Sequence, residues 1–237
     1  MAIDFQRLND PEVRKEWEEK QQARALREQQ IIDWRKETVG ATGHRCEKLG
    51  GWHDALGGYD NKHPIVVNLR TVLLEVLEDL IANQGKTRFV SGGALGFDSM
   101  FFWAVNHLKK KYPHIQNVLA NPFVNQDKMW KPQQKRWYRK MLEVADAVID
   151  VAREEEYSTR EHLKKENPIP LDDFSGDKMK KRNMYMVDQS GVMVAFFDGS
   201  VKSGTGHCVR YAVRDCVFHR PDIIRLDPRV DFKPEYY

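Results

Sequence analysis

Short apolar runs alternate with longer segments of helical periodicity along most of the chain, which is typical of βαβ units around a parallel sheet. The apolar runs predict strands at residues 38–42, 87–91, 115–120, 147–151, 192–197 and 222–226. The longer segments predict helices at residues 64–83, 97–110, 132–144, 182–189 and 206–215. The predicted fold class is α/β: a Rossmann-like parallel sheet with helices on both faces, plus an N-terminal helical extension.

The N-terminal extension has a different composition from the rest of the chain. Residues 11–34 are charged, rich in Gln and free of Gly, and they predict a helix whose loose apolar stripe includes Trp17 and Trp34. We expect this helix to pack on the body of the protein or on another subunit, in a homo-oligomer. The predicted domains are therefore a helical extension over residues 1–36 and a Rossmann-like ligand-binding domain over residues 37–237.

A polar segment interrupts the alternation late in the chain. Residues 154–181 contain Pro168 and Pro170 and no clear apolar period. Long segments of this kind within a domain are often functional coverings. We therefore expect an inserted excursion that covers the site.

Composition narrows the class of protein. The 237 residues are 41% hydrophobic and 31% charged, which is typical of a globular chain. The net charge of +3 arises from 38 basic and 35 acidic residues, a balance that does not favour a nucleic acid as the main partner. Cys46, Cys208 and Cys216 form no disulfide framework, and no window has the length and apolarity of a membrane span. We expect a soluble, cytoplasmic protein with free thiols and no membrane association.

Three loops follow predicted strands at the sheet edge where open α/β folds bind ligands. The first places Thr42, Gly43, His44 and Arg45 after the first strand, and the planar fork of an arginine suits a phosphate. A solvated loop with a chance arginine is the alternative for this segment alone.

The second loop runs from the next strand into a helix with the sequence Ser91-Gly92-Gly93-Ala94-Leu95-Gly96-Phe97-Asp98. Its glycines permit close backbone approach, and the first N–H groups of the helix favour an anion. The spacing is neither GxxxxGK[ST] nor GxGxxG, which argues against a P-loop and against an ordinary dinucleotide fingerprint. Asp98 is a candidate for binding a ribose hydroxyl, although an acidic residue in a first turn also stabilises the helix by itself.

The third loop, residues 198–207, follows a wholly apolar strand and opens another helix. Its candidate ligand contacts are Lys202, Ser203, Gly204, Thr205 and Gly206. Arg182, at the start of the preceding predicted helix, is a further candidate for a phosphate, with surface solvation as the alternative. Three such loops at one sheet edge predict a phosphate-bearing ligand.

These motifs resemble the YpsA-like branch of the SLOG superfamily of Rossmann-like proteins, which includes the Lonely-Guy phosphoribohydrolases and DprA. The resemblance rests on the three loops and on further matches in the same order: Asn121-Pro122-Phe123 with Gln126, Trp130 and Tyr138, then residues 182–188 and 195–199. It implies recognition of nucleotides or nucleotide-derived signals. Lonely-Guy enzymes carry a Glu three residues after the Thr of PGGxGTxxE. The position here is Cys208, and a thiol does not replace that carboxylate.

We therefore predict binding, sensing or sequestration of a nucleotide or an ADP-ribose-like phosphate ligand. The alternative is an enzyme that cleaves an N-glycosidic or phosphate bond, with Asp98 and Asp198 as the catalytic candidates. A DprA-like nucleic-acid-binding protein is a weaker alternative. No cofactor is expected, and no metal, because the spacing of His44, Cys46 and His53 matches no structural zinc pattern.

Overall fold

The structure, a computed structural model, describes residues 10–45, 52–53, 58–60, 62–216 and 220–237. Its strands are β1 Thr38–Gly43, β2 Trp52–His53, β3 Gly58–Tyr59, β4 Arg88–Ser91, β5 Gln116–Asn121, β6 Ala147–Asp150, β7 Val192–Phe196, β8 Asp222–Leu226 and β9 Pro234–Tyr236. β2 and β3 form a small antiparallel pair, and the other seven strands form one sheet. This sheet is the frame of the site.

The strand order of the large sheet creates a ligand crevice near its middle. The order is β6-β5-β4-β1-β7-β8-β9, and every pair is parallel except β8 and β9. The chain runs from β1 outward to β6 and then returns to the other side of β1 with β7. Loops therefore leave β1 and β7 in opposite directions, which opens a crevice at the carboxyl ends of these two strands.

Helices cover both faces of the sheet, as the sequence predicts. They are α1 Pro11–Lys36, α2 Pro64–Ala82, α3 Phe97–Leu108, α4 Pro132–Val144, α5 Gly176–Asp188 and α6 Gly204–Arg210, which continues as a π-helical turn, Tyr211–Asp215. Alternate residues of β7 face opposite layers: Val194 and Phe196 pack with α2 and α3, whereas Met193 and Ala195 pack with α6 and its π-helical turn. No helix within the described ranges is long and apolar enough to cross a membrane.

The start of α5 corrects the prediction for this part of the chain. The helix begins at Gly176 instead of residue 182, so it takes in the last six residues of the predicted excursion. Ser175 caps it, because its Oγ accepts hydrogen bonds from two backbone N–H groups of the first turn. Lys178 is buried and its Nζ donates to three carbonyl groups in residues 170–173. These contacts with the segment just before the helix hold the lysine-rich start of α5 against the protein.

The long helix α1 is fastened to the body near its C-terminal end. The Arg88 guanidinium lies over the ring of Trp34, and Thr38 Oγ1 donates to the Trp34 carbonyl at 2.7 Å. Arg35 is buried and donates to the carbonyl of Asp188. Trp17, about a quarter of the way along the helix, is 39% exposed. The helix is therefore anchored by its last turn.

Candidate functional site

A cavity of about 640 Å³ lies in the crevice between the carboxyl ends of β1 and β7. Its walls come from the loop after β1, the start of α3, the first half of α5 and the loop that leads into α6. It brings together ten residues that the sequence singles out: Thr42, Gly43, His44, Arg45, Asp98, Arg182, Lys202, Ser203, Gly204 and Thr205. Segments as much as 160 residues apart in sequence thus share one cavity.

Arg182 and Asp98 form a buried ion pair at the wall of the cavity. The Arg182 Nη1 to Asp98 Oδ2 distance is 3.3 Å, and the two side chains are 5% and 7% exposed. Burial raises the pKa of the Asp98 carboxyl, and the Arg182 guanidinium and the backbone of Ala94 and Gly92 partly offset that shift. The Nε atom of Arg182 is buried and has no hydrogen-bond partner. The guanidinium is therefore only partly satisfied by the protein.

The glycine loop after β4 makes room for this arginine. A Cβ atom at Gly92 would lie 1.2 Å from Arg182 Nη1, so a side chain there would displace the guanidinium. Gly96 has a φ of +110°, and a Cβ atom there would lie 2.7 Å from the His44 carbonyl oxygen and 2.8 Å from the Arg45 Cα. The loop thus supports both the arginine of α5 and the loop after β1.

Five predicted ligand contacts do not line the cavity. They are Ser91, Gly92, Gly93, Gly96 and Gly206. Ser91 is fully buried at the end of β4, and a Cβ at Gly206 would lie within 3 Å of the carbonyl oxygens of Ser200 and Val201. Ser91 and Gly206 are therefore packed against the protein's own atoms instead of facing the cavity.

His44 and Asp198 join the loops after β1 and β7. His44 Nε2 lies 2.7 Å from Asp198 Oδ1, the distance of a hydrogen bond donated by the ring N–H. The Asp198 backbone nitrogen lies 3.2 Å from the same Nε2, but a ring nitrogen that donates cannot also accept, and the shorter contact decides. Asp198 also accepts from the Ser200 N–H at 2.8 Å, and it is not among the cavity-lining residues. This carboxylate therefore holds two loops together.

The loop into α6 is fixed by its own hydrogen bonds. Ser203 is the N-cap, and its Oγ accepts from the Gly206 N–H at 2.9 Å. Asn183, next to Arg182 on α5, donates from Nδ2 to the Gly204 carbonyl at 3.2 Å. The Gly206 N–H is consequently used by the cap, while Lys202 and Thr205 remain at the cavity wall.

Three basic residues of the cavity are absent from the sequence-based site. Lys180 lies on α5, and His207 and Arg210 lie on α6. Burial, and then Arg210 and Lys180, lower the pKa of the His207 imidazole, and Asp215 opposes the shift. The usable signal was helical spacing, because residues 203, 207 and 210 share one face of a helix that starts at the glycine loop.

The charge of the cavity wall is strongly positive. Five lining residues are Lys or Arg, namely Arg45, Lys180, Arg182, Lys202 and Arg210, and Asp98 is the one acidic residue among the described lining residues. An anionic ligand therefore suits this wall.

Cys208 is buried in the core beneath α6. It is 0% exposed, and its Sγ lies 3.9 Å from the carbonyl oxygen of Asn183. Burial raises the pKa of the thiol to about 12, with a smaller opposing effect of the Thr42 hydroxyl. The position of the Lonely-Guy carboxylate thus holds a neutral, inaccessible group.

Three aromatic residues of the kind that can stack on a nucleotide base lie outside this cavity. Trp130, Trp137 and Tyr138 line a second cavity of about 730 Å³ between α2, α3 and α4. Trp130 and Tyr138 pack edge to face, with ring centroids 5.2 Å apart. These rings therefore belong to a helical groove on one face of the sheet.

No group of three or more His, Cys, Asp or Glu side chains in the described ranges could hold a metal ion. Of the residues considered for zinc, Cys46 and the side chain of His53 lie outside the described residues. His44 is hydrogen-bonded to Asp198.

Comparisons with known proteins match most of the chain. The family model YpsA, described as the YspA SLOG family, matches residues 42–216. The uncharacterized SPbeta prophage-derived protein YoqJ of Bacillus subtilis is 45% identical over 172 residues, covering 73% of this chain and 95% of that protein. UPF0398 protein BH1768 of Halalkalibacterium halodurans is 24% identical over 160 residues, covering 68% and 71%. The X-ray structure of TM1055, a structural genomics target, is 18% identical, with a TM-score of 0.38 and coverage of 75% and 69%.

Proposed function

Since this chain belongs to the SLOG family in its YpsA branch, we propose that it binds a nucleotide or nucleotide-derived ligand through a phosphate group in the cavity between β1 and β7. The observation that carries the proposal is the buried guanidinium of Arg182, whose Nε lacks a hydrogen-bond partner at the cavity wall. The proposed role is sensing or sequestration of that ligand.

A phosphate oxygen would satisfy Arg182. A buried charge is costly unless it is paired and hydrogen-bonded. The one ion-pair contact of Arg182, with Asp98, is long at 3.3 Å and uses one of five N–H groups. A phosphate accepts two parallel N–H bonds from a guanidinium, and such charge-assisted bonds are stronger than neutral ones. The unoccupied donor therefore favours an oxyanion ligand.

The size and shape of the cavity favour a ligand larger than a lone phosphate. Small-molecule sites typically measure about 300–1,000 Å³, and this cavity measures about 640 Å³. It also lies at the switch point of strand order, where open α/β sheets bind their ligands. The first turn of α3 begins directly after the glycine loop and directs its positive end to the same sheet edge.

Cleavage of the ligand is the second candidate function. The raised pKa of the buried Asp98 carboxyl is typical of acid–base residues, and Asp98 lines the cavity. Binding without turnover is favoured because Asp98 is paired with Arg182, Asp198 holds His44, and Cys208 occupies the position of the Lonely-Guy carboxylate. Incubation of nucleotides with stoichiometric protein, followed by chromatography, separates the two candidates.

The test is calorimetric titration of nucleoside monophosphates, NAD and ADP-ribose against the matching nucleosides. We expect binding of at least one phosphorylated compound, and a loss of about tenfold or more in its affinity in Arg182→Gln, because a charge-assisted contact is removed. Arg214→Gln is the matched control, since this exposed arginine lies one turn beyond the cavity. Equal binding by wild type and Arg182→Gln would contradict the proposed site.

A further inference from the structure

The cavity wall carries more positive charge than one phosphate group neutralises. Five Lys or Arg residues and one Asp line it, which leaves a formal charge of +4 with histidine neutral. A phosphomonoester carries about −1.5 to −2 near neutral pH. A ligand with one such group would therefore leave about half of the charge unbalanced.

Arg210 is another arginine of the cavity whose charge the protein does not fully balance. It is half-buried on α6, and no described residue forms an ion pair or a hydrogen bond with its side chain. Arg182 is the first, because its Nε is unpartnered and its ion pair with Asp98 is long. The two guanidinium groups belong to different helices, Arg182 to α5 and Arg210 to α6.

Lys202 adds a further positive charge to the cavity wall. It is exposed in the loop before α6, and no described residue pairs with it. By contrast, Lys180 on α5 is already paired with Asp177 at 2.9 Å. The unbalanced charge is thus carried by Arg182, by Arg45 in the loop after β1, and by Lys202 and Arg210 at the two ends of α6.

We propose that the ligand carries two phosphate groups, one bound by Arg182 and the other by Arg210. The inference rests on the proposed function and specifies its ligand class. The Arg182 group would lie beside the glycine loop after β4, where Gly92 leaves room for the guanidinium. The Arg210 group would lie on the α6 side of the cavity, which Lys202 also lines. Nucleotides with one phosphate would satisfy only half of this arrangement.

The test compares orthophosphate, pyrophosphate and tripolyphosphate by titration calorimetry at constant ionic strength, so that the base does not enter. We expect pyrophosphate or tripolyphosphate to bind at least about tenfold more tightly than orthophosphate, since a second charge-assisted contact has that value. Arg210→Gln should abolish this advantage, and Arg182→Gln should abolish it as well. Arg214→Gln, with the same loss of charge outside the cavity, should keep it.

The inference is overturned if neither polyphosphate binds more tightly than orthophosphate, if none of the three binds, or if the advantage survives in Arg210→Gln. Failure of the proposed function would give a different result. If the proposed function is wrong, the nucleotide titrations would also show no binding that depends on Arg182. Nucleoside monophosphate binding that depends on Arg182, without any gain from a second phosphate, would remove the two-phosphate inference alone.

Discussion

The guanidinium of Arg182 occupies the space that a side chain at Gly92 would fill. A Cβ atom at Gly92 would lie 1.2 Å from Nη1 of Arg182 and 2.6 Å from Oδ2 of Asp98. The glycine loop after β4 and the helix α5 therefore fit together through one ion pair. A change in the loop must displace the arginine that is central to the proposed site.

Replacing Gly92 with Ala should disrupt this arrangement. The methyl group must displace the buried pair, and overpacking of this kind costs about 1–3 kcal/mol in the free energy of unfolding. Chemical denaturation measures that cost, and ligand titration should show a loss of affinity of about tenfold or more.

The matched control for stability is Gly204→Ala. A Cβ atom at Gly204 meets no atom within 4 Å, and its φ is not positive. Its free energy of unfolding should change by less than about 0.5 kcal/mol. A Gly92→Ala variant as stable as this control, with unchanged affinity, would show that Arg182 is free to move away from the loop.

Much of the fold was predictable because its signals are local. The stripe from Val66 to Leu80 repeats every three to four residues, and α2 spans Pro64–Ala82 with these residues buried. The spacing of the apolar residues predicts such a helix without any knowledge of the elements on which it packs. The fold class is confirmed for the same reason, since the apolar strands and amphipathic helices alternate.

Features that depend on specific hydrogen bonds, instead of a repeating apolar pattern, were not predictable. The start of α5 requires the carbonyl groups that satisfy Lys178, and β9 exists because Pro234–Tyr236 pairs with β8. In the site, the loops after strands were visible in the sequence. The sequence did not show that Arg182 lies over Gly92, 90 residues earlier in the chain. It also did not show that Asp198 binds His44.

Binding of an anion near His207 should take up protons. Burial and the neighbouring Arg210 and Lys180 lower the pKa of this histidine, and a bound phosphate would raise it. Affinity should therefore increase as the pH falls from about 7.5 to about 5.5, across the ordinary histidine range. ADP-ribose is the suitable ligand, because its pyrophosphate diester does not titrate there. Titration in buffers of different ionisation enthalpy measures the uptake.

His207→Gln is the control and should show no such uptake. In the absence of ligand, lowering the pH should reduce the stability of the protein instead of strengthening an interaction. The reason is that the pKa of His207 in the folded protein lies below the unfolded value of about 6.5. The unfolded chain then binds the proton more readily, so the contribution of His207 to stability is lost as the pH falls below 6.5. Proton uptake of the same size in the variant would assign it to another group.

Cys208 should resist thiol reagents in the native protein. It is fully buried, and the pKa of its thiol is raised to about 12, so almost no thiolate exists at neutral pH. Treatment with iodoacetamide followed by peptide mass spectrometry should find Cys208 unmodified in native buffer and modified in guanidinium chloride. Modification at similar rates in both conditions would mean that α6 opens readily.

Truncation should separate the two ends of α1. Deleting residues 1–30 leaves Trp34 and Arg35 in place, and the melting temperature and ligand affinity should stay nearly unchanged. Deletion through Lys36 also removes the contacts with Arg88 and with the Asp188 carbonyl, and a loss of about 2 kcal/mol would lower the melting temperature by several degrees.

The variant that lacks residues 1–30 also tests whether α1 takes part in association. Light scattering should show a smaller assembly for this variant, because the deletion removes the exposed Trp17. An unchanged mass would contradict a role of α1 in association.

The most direct test is the crystal structure of a complex with the nucleotide that binds most tightly. Binding through Arg182 predicts a phosphate oxygen within about 3.2 Å of its Nε, in the cavity between the ends of β1 and β7. A ligand found in the groove lined by Trp130 and Trp137, or a ligand in the cavity that leaves Arg182 Nε without a phosphate contact, would contradict the proposed site.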